Sequence, residues 1–210
     1  MCFSAEASFI ASAVLSIIGV ATLRKVRSFP QFFLAAIPSL FALQQSAEGF
    51  IWLYLKGQID SNSVFLVGKY TFLFFAFLVW PIWIPHAILQ LETVQWRRFL
   101  LAITLLAGIT LSISNFLYAL TTFPHVEIVK NSLHYIGRAS DQTYLYPMIV
   151  LLPCFISSLK KAWLFGILTL IAYLLADYFY TQAFISVWCF FAAVISLLIY
   201  IITPFPPRRA

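Results

Sequence analysis

Long apolar segments separated by short polar connections recur along the whole chain. Each has about 20 residues, enough for an α-helix to cross ~30 Å of hydrocarbon. We therefore predict transmembrane helices near residues 7–23, 31–55, 63–90, 99–118, 143–159, 162–180 and 183–203. The fold predicted from this pattern is all-α: a polytopic membrane protein with a bundle of about seven transmembrane helices. We expect it to form a single domain, residues 1–210.

The composition supports the same interpretation. Of the 210 residues, 62% are hydrophobic and 10% are charged, whereas an ordinary soluble domain has roughly 25% charged residues. A soluble domain of this size could not bury so much apolar surface, but a bilayer can cover it. We expect a multi-pass protein of the cell membrane, in a bacterium the inner or plasma membrane, with membrane lipids as partners.

Basic residues give the predicted bundle an orientation. The net charge is +6, and most of the positive charge falls in four clusters at alternate helix ends: Arg24, Lys25 and Arg27; Arg97 and Arg98; Lys160 and Lys161; Arg208 and Arg209. The positive-inside rule then places the N-terminus outside and the C-terminus in the cytoplasm. Because an anionic inner leaflet also attracts such clusters, the charge does not indicate a nucleic-acid partner.

The connection over residues 119–142 is longer than a passive bundle loop needs. Val126, Val129, Leu133 and Ile136 recur at helical spacing, while polar residues form the opposite stripe: Glu127, Lys130, His134 and Arg138. This pattern predicts a helix lying flat in the membrane interface, as a lid over the outer end of the bundle. A solvated connector without a role of its own is the alternative.

Glu48 is the most informative polar residue, because a carboxylate in an apolar segment is costly unless it finds a partner. In the predicted topology it lies about seven residues, or ~10 Å, below the outer end of its helix. Lys69 lies at a comparable depth on the next, antiparallel helix. We therefore predict a Glu48–Lys69 pair, although a buried pair offsets desolvation more often than it adds stability.

Other polar residues are assigned to the same outer half of the bundle, which suggests a polar pocket open to the outside. The candidate ligand-binding residues are Gln44, Gln45, Glu48, Lys69, Asn115, His134, Asp177 and Trp188. The candidate catalytic residues are Cys2, Glu48, Asp177 and Cys189. Histidines at metal-ligand spacing are missing, so no metal site is predicted, and the sequence does not indicate a cofactor.

Several mechanisms could use such a pocket. The leading hypothesis is the binding of a small or lipidic ligand by aromatic walls and a few convergent polar groups, as in a sensor, receptor or transport protein. A membrane-embedded hydrolase or transferase would use Glu48 or Asp177 as base and Cys2 or Cys189 as nucleophile. A purely structural role, in which the polar side chains hold helices together, stays open.

Four stretches also carry a family resemblance: the opening Met-Cys-Phe-Ser-Ala, residues 43–49, residues 80–85 and residues 186–193. They resemble a family of small bacterial multi-pass membrane proteins of unknown function. The resemblance implies a membrane-bundle fold without an assigned activity. It gives a second reason to examine Cys2, Gln45, Glu48, Trp188 and Cys189.

Overall fold

The computed structural model describes residues 4–122, 125–129, 131–136 and 144–203. It is mostly helical. The helices are α1 (Ala5–Leu23), α2 (Phe29–Ala35), α3 (Ile37–Leu55), α4 (Asn62–Phe74), α5 (Trp80–Leu91), α6 (Gln95–Thr122), α7 (Leu145–Ile156), α8 (Ala162–Phe179), α9 (Phe184–Ile195) and α10 (Ile199–Ile202). A π-helical turn, Phe75–Val79, joins α4 to α5, and 3-10 turns at Thr181–Ala183 and Ser196–Leu198 flank α9.

Within the described ranges, five helical segments are long and apolar enough to cross a membrane: Ala5–Leu23, Asn62–Leu91, Gln95–Ala119, Ala162–Phe179 and Thr181–Ile202. The segment α3 is not among them, although its 19 residues are long enough. Its hydropathy is lowered by Gln44, Gln45 and Glu48, all of which are buried in the protein. The helix α7 is apolar but has only 12 residues.

The helices pack in a closed order around α3. The helix α1 packs against α3, α3 against α4, α5 against α6 and α7, and α7 against α8. The helix α9 then packs against α8 and returns to contact both α1 and α3. Because α3 has neighbours on several sides, its polar face is turned into the bundle, and this position creates the candidate site.

The interface of α1 with α3 is built from small residues that let the two backbones come close. Ser12 donates to the carbonyl of Ala42 over 2.9 Å and shares a 2.7 Å hydrogen bond with Ser46. At Gly19 an added Cβ would lie only 2.9 Å from the backbone nitrogen of Ser39. Small residues and interhelical hydroxyl bonds of this kind are the usual means of helix association in lipid.

The turn between α4 and α5 follows from its prolines. The N–H of Trp80 bonds to the carbonyl of Phe75, five residues back. In that register the donor for the carbonyl of Ala76 would be Pro81, which has no N–H. The hydroxyl of Tyr146 on α7 donates to that carbonyl instead, over 2.5 Å. A neighbouring helix thus satisfies the backbone group that the proline leaves free.

Pro85 has the same effect on the carbonyl of Pro81, and here α6 fills the space. Gly108 packs so closely that an added Cβ would lie 2.0 Å from the Pro81 oxygen. We expect Gly108→Ala to force α5 and α6 apart and to lower the free energy of unfolding by about 1–3 kcal/mol. Thermal unfolding in detergent measures this. Ser114→Ala, on the exposed side of α6, is the control, and equal melting temperatures for both variants would contradict the close packing.

The predicted interfacial helix over the long connection is wrong for the described residues. They form an antiparallel hairpin, β1 (His125–Val129) and β2 (Ser132–Ile136), in which Val126 pairs with Tyr135 and Glu127 with His134. Asn131 adopts the left-handed conformation (φ 60°) at the turn, which asparagine tolerates well. Val126, Leu133 and Tyr135 are buried against the bundle, whereas Ile136 is exposed, so the burial follows strand alternation instead of a helical face.

The bundle therefore has two different ends. At the hairpin end lie the start of α1, the end of α3 and the start of α9; buried residues there, including Ala5, Trp52, Leu133 and Cys189, form one hydrophobic cluster. At the opposite end, which we call the basic end, lie the connections that carry Lys25, Arg97 and Lys160 and their basic neighbours. The hairpin and the described basic connections therefore lie at opposite ends of the bundle.

Candidate functional site

A row of polar side chains on α3 faces the interior of the bundle. Gln44, Gln45 and Glu48 are 0% exposed and Trp52 is 1% exposed. Gln44, Glu48 and Trp52 follow one another at intervals of four residues, so they share one helix face. The deepest of them, Gln44, accepts a hydrogen bond from the indole nitrogen of Trp80 over 2.8 Å. The row then runs from this bond toward the hairpin end.

Glu48 has a different partner from the predicted one. The hydroxyl of Ser186 on α9, itself fully buried, donates to Oε1 of Glu48. The ammonium group of Lys69 lies over the ring of Tyr70, 4.8 Å from its centroid. The helix α4 does reach α3 at the expected depth, since Gly68 packs against the carbonyl of Ala47. The depths predicted for Glu48 and Lys69 therefore agree with the packing of α4 on α3. The Glu48 carboxylate, however, is turned toward α9 and not toward α4.

The hairpin covers this part of the bundle. Tyr135 is buried and its ring stacks on Phe72 of α4, with centroids 4.7 Å apart. Burial, and then the nearby ionised forms of Glu48 and Cys189, raise the pKa of Tyr135 well above its ordinary value. Its hydroxyl therefore stays protonated, a hydrogen-bond donor held close to the Glu48 carboxylate. Tyr135 was not among the predicted site residues, because a helix over the long connection places no functional side chain at this position.

We call Gln45, Glu48, Trp52, Tyr135 and Ser186 the polar cluster. The amide of Gln45 lies beside the Glu48 carboxylate. Several buried atoms of the cluster nevertheless make no hydrogen bond of normal length and angle with a described residue: both amide atoms of Gln45, Oε2 of Glu48, Nε1 of Trp52 and the hydroxyl of Tyr135. A buried polar group without a partner costs about 1–3 kcal/mol. Native proteins leave few such groups, so their concentration in one place marks the polar cluster as the candidate site.

The other predicted residues are distributed more widely. Cys189 lies one turn beyond Ser186 on α9 and is buried beside the cluster, in contact with the hairpin side of the core. Trp188 points the other way: its indole donates to the carbonyl of Thr169 over 3.2 Å and packs on Tyr173. Trp188 and Cys189 line an apolar cavity of about 30 Å³, which is large enough for about one water molecule.

The remaining candidates do not join the polar cluster in the described structure. Asn115 is half-buried on α6, and Asp177 is half-buried near the end of α8, where its main-chain carbonyl accepts a hydrogen bond from Thr181. Nδ1 of His134 lies 3.2 Å from Oε1 of Glu127 across the hairpin. Cys2 falls outside the described residues. Among the residues that are described, no three His, Cys, Asp or Glu side chains stand close enough to hold a metal ion.

A second buried carboxylate, Glu92, lies at the basic end and was also missed. It follows α5 directly and is 1% exposed. Oε1 accepts hydrogen bonds from the N–H groups of Thr93 and Val94, both over 2.9 Å, and from the hydroxyl of Ser158 over 2.7 Å; Oε2 accepts from the N–H of Ser158 over 2.7 Å. Glu92 thus ties the connection before α6 to the connection after α7.

Burial alone would raise the pKa of Glu92, but its four hydrogen bonds, from the N–H and hydroxyl groups of Ser158 and from the N–H groups of Val94 and Thr93, outweigh it and lower the pKa. Such bonds favour the ionised form of a carboxylate. Unlike Glu48, Glu92 is fully provided with donors. Glu92 at the basic end is therefore a structural carboxylate, whereas Glu48 toward the hairpin end is incompletely hydrogen-bonded among the described residues.

Comparison with protein families assigns the whole bundle to one of them. The family of unknown function DUF6629 matches residues 1–209. The chain belongs to this family. The match covers α1 to α10 and the hairpin together, and it confirms that the chain belongs to a family of unknown function. Neither the curated proteins nor the solved structures include a match to this DUF6629 chain.

Proposed function

We propose that this DUF6629 protein is an integral membrane protein that binds a small or lipidic ligand in the polar cluster beneath the hairpin. In this proposal all seven helical segments cross the membrane: α1, α2 with α3, α4 with α5, α6, α7, α8, and α9 with α10. The basic end faces the cytoplasm, in line with the positive-inside rule. The hairpin end, and the N-terminus with it, then face outward.

One observation carries the proposal: in the described part of the chain, buried donors and acceptors of the same cluster are without partners. Gln45 and Glu48 present acceptor oxygens, while Gln45, Trp52 and Tyr135 present N–H or O–H donors. Binding sites typically combine apolar and aromatic walls with a few polar groups that fix the ligand's orientation. A ligand with both donor and acceptor groups would satisfy this set and avoid the cost of about 1–3 kcal/mol for each unsatisfied buried group.

Native mass spectrometry of protein released gently from membranes tests the proposal. We expect the wild-type protein to retain a small molecule or a lipid, and we expect Glu48→Gln and Tyr135→Phe to lose it. Glu127→Gln is the matched control, because it neutralises an exposed carboxylate on the hairpin, outside the cluster. Retention that is equal in all four proteins, or absent from the wild type, would contradict binding at this place.

A second candidate, a membrane-embedded hydrolase or transferase, is favoured by the hydrogen bond from Ser186 to Glu48. A nucleophile within hydrogen-bond reach of a base is the minimum for covalent catalysis. The Ser186 oxygen would form a bond to a substrate carbonyl carbon while its proton passes to Glu48, and the departing group would then take that proton. A fluorophosphonate probe separates the candidates: labelling of Ser186 that disappears in Glu48→Gln would support the enzyme, and no labelling is expected for a binding protein.

A further inference from the structure

The Glu48 carboxylate limits what charge a ligand of this site carries. Its side chain is 0% exposed, Oε1 accepts one neutral hydroxyl, and Oε2 has no partner among the described residues. The neighbouring Tyr135 supplies a neutral phenol, and Gln45 a neutral amide. The ammonium of Lys69 lies over the rings of Tyr70 and Phe65. A buried ionised carboxylate is stabilised by pairing with a cation, and none of the described residues forms an ion pair with Glu48.

The aromatic surroundings suit a positive charge as well. Trp52 lies one turn beyond Glu48 on the same face of α3, and the stacked pair of Phe72 and Tyr135 belongs to the same hydrophobic cluster. Ammonium groups of the chain already lie over rings at this end, as Lys56 does 5.2 Å from the ring centroid of Trp52. The face of an aromatic ring attracts a cation, and tryptophan does so most strongly.

We propose that the ligand is a small organic ammonium ion, either free or as the headgroup of a lipid, with its nitrogen next to Oε2 of Glu48 and the indole of Trp52. This inference rests on the ligand-binding function proposed above and names its chemical class. The amide oxygen of Gln45 accepts from an N–H group where the ammonium has one. The donors of Trp52 and Tyr135 match a hydroxyl or ester oxygen farther along the same molecule.

Binding of matched probes tests this inference. The protein is placed in nanodiscs of phosphatidylglycerol, and the affinities of ethanolamine, choline and 3,3-dimethylbutan-1-ol are measured by calorimetry. The last compound has the shape of choline without its charge. We expect at least one of the two ammonium compounds to bind and the neutral compound to bind at least tenfold more weakly. We expect Glu48→Gln to weaken ammonium binding by about 10- to 100-fold, as removal of a charged hydrogen-bond partner does, and Glu127→Gln to leave it unchanged.

A second arm separates a free ligand from a lipid headgroup: phosphatidylethanolamine and phosphatidylcholine are added to the nanodiscs, and lipids retained after extraction are identified by native mass spectrometry. Selective retention of one of these lipids by the wild-type protein, and its loss in Glu48→Gln, supports the headgroup form. Failure of both amines and both lipids, or equal binding of the neutral compound, overturns the ammonium inference. A retained neutral molecule would overturn it while leaving the proposed binding function intact.

Discussion

Replacing Glu92 by alanine is expected to lower the free energy of unfolding by about 2–4 kcal/mol, because three backbone N–H groups lose a charged acceptor. Each such bond contributes about 1.5–3 kcal/mol, but the donors belong to exposed residues and regain water, so the loss is smaller than the sum. The groups belong to Thr93, Val94 and Ser158. Glu92→Gln should cost less, since it keeps one acceptor oxygen but turns an NH₂ group toward some of the same donors. Thermal and denaturant unfolding in detergent, followed by circular dichroism, measures both.

Glu92 also makes the stability of the fold depend on pH, with a loss of stability toward acidic pH. Hydrogen bonds to the ionised form lower the pKa of Glu92 in the folded protein. Its contribution is therefore fully present above the ordinary glutamate pKa of about 4.3 and is lost as the pH falls through the lowered folded-state value. The difference in stability between wild type and Glu92→Gln should shrink below about pH 4.3. A difference that stays constant down to strongly acidic pH would show that the carboxylate form is not what the connections bind.

The sequence pattern predicts the helices well because hydrophobic length is a local property. The first predicted helix, 7–23, corresponds to α1 (Ala5–Leu23), and the sixth, 162–180, to α8 (Ala162–Phe179). A π-helical turn precedes Trp80, next to Pro81 and Pro85. What the pattern leaves out is the compensating donor: that Tyr146 serves the carbonyl of Ala76 depends on α7 packing beside α5, which the sequence does not reveal.

The partner of Glu48 could not be predicted for a related reason. Counting residues from a helix end gives the depth of a side chain, and on that basis Lys69 was a reasonable partner. Depth says nothing about the direction in which the side chain points around the helix axis. Ser186 is separated from Glu48 by 138 positions and belongs to the last long helical segment, so only the return of α9 to α3 brings them together.

The hairpin was predicted as a helix because the apolar positions of this short segment are compatible with both the helical repeat of 3.6 residues and the strand repeat of two. Val126, Val129, Leu133 and Ile136 recur at helical spacing, yet Val126 and Leu133 are also inward positions of two paired strands. The β-branched residues of β1, Val126, Ile128 and Val129, and an asparagine at the turn were the available signals for strands. The hairpin places Tyr135 in the polar cluster, where the predicted helix had assigned it no role. The hairpin also covers the end of the bundle that the predicted helix was expected to cover, and we call it the lid.

That lid can be opened by one substitution. Leu133 is 0% exposed in the core at the hairpin end, so Leu133→Asp removes about 1.5–3 kcal/mol of apolar burial and adds the cost of burying a charge. We expect the hairpin to detach locally while the helices stay folded, because segments with few contacts open below the global unfolding energy. Alkylation of Cys189 by a maleimide, quantified by peptide mass spectrometry, should then accelerate by at least about tenfold, since 1.4 kcal/mol corresponds to that factor.

Two controls make the result specific to the hairpin. Cys154 is buried in the apolar core with Leu34 and Phe165, away from the hairpin cluster, so its alkylation rate in Leu133→Asp should stay at the wild-type value; acceleration at both cysteines would indicate general unfolding instead. Ile136→Asp places the same charge on the exposed side of β2 and should leave Cys189 protected. If Leu133→Asp leaves Cys189 as slow as in wild type, then the hairpin does not control access to α9, and a ligand of the polar cluster would have to enter between helices from the bilayer.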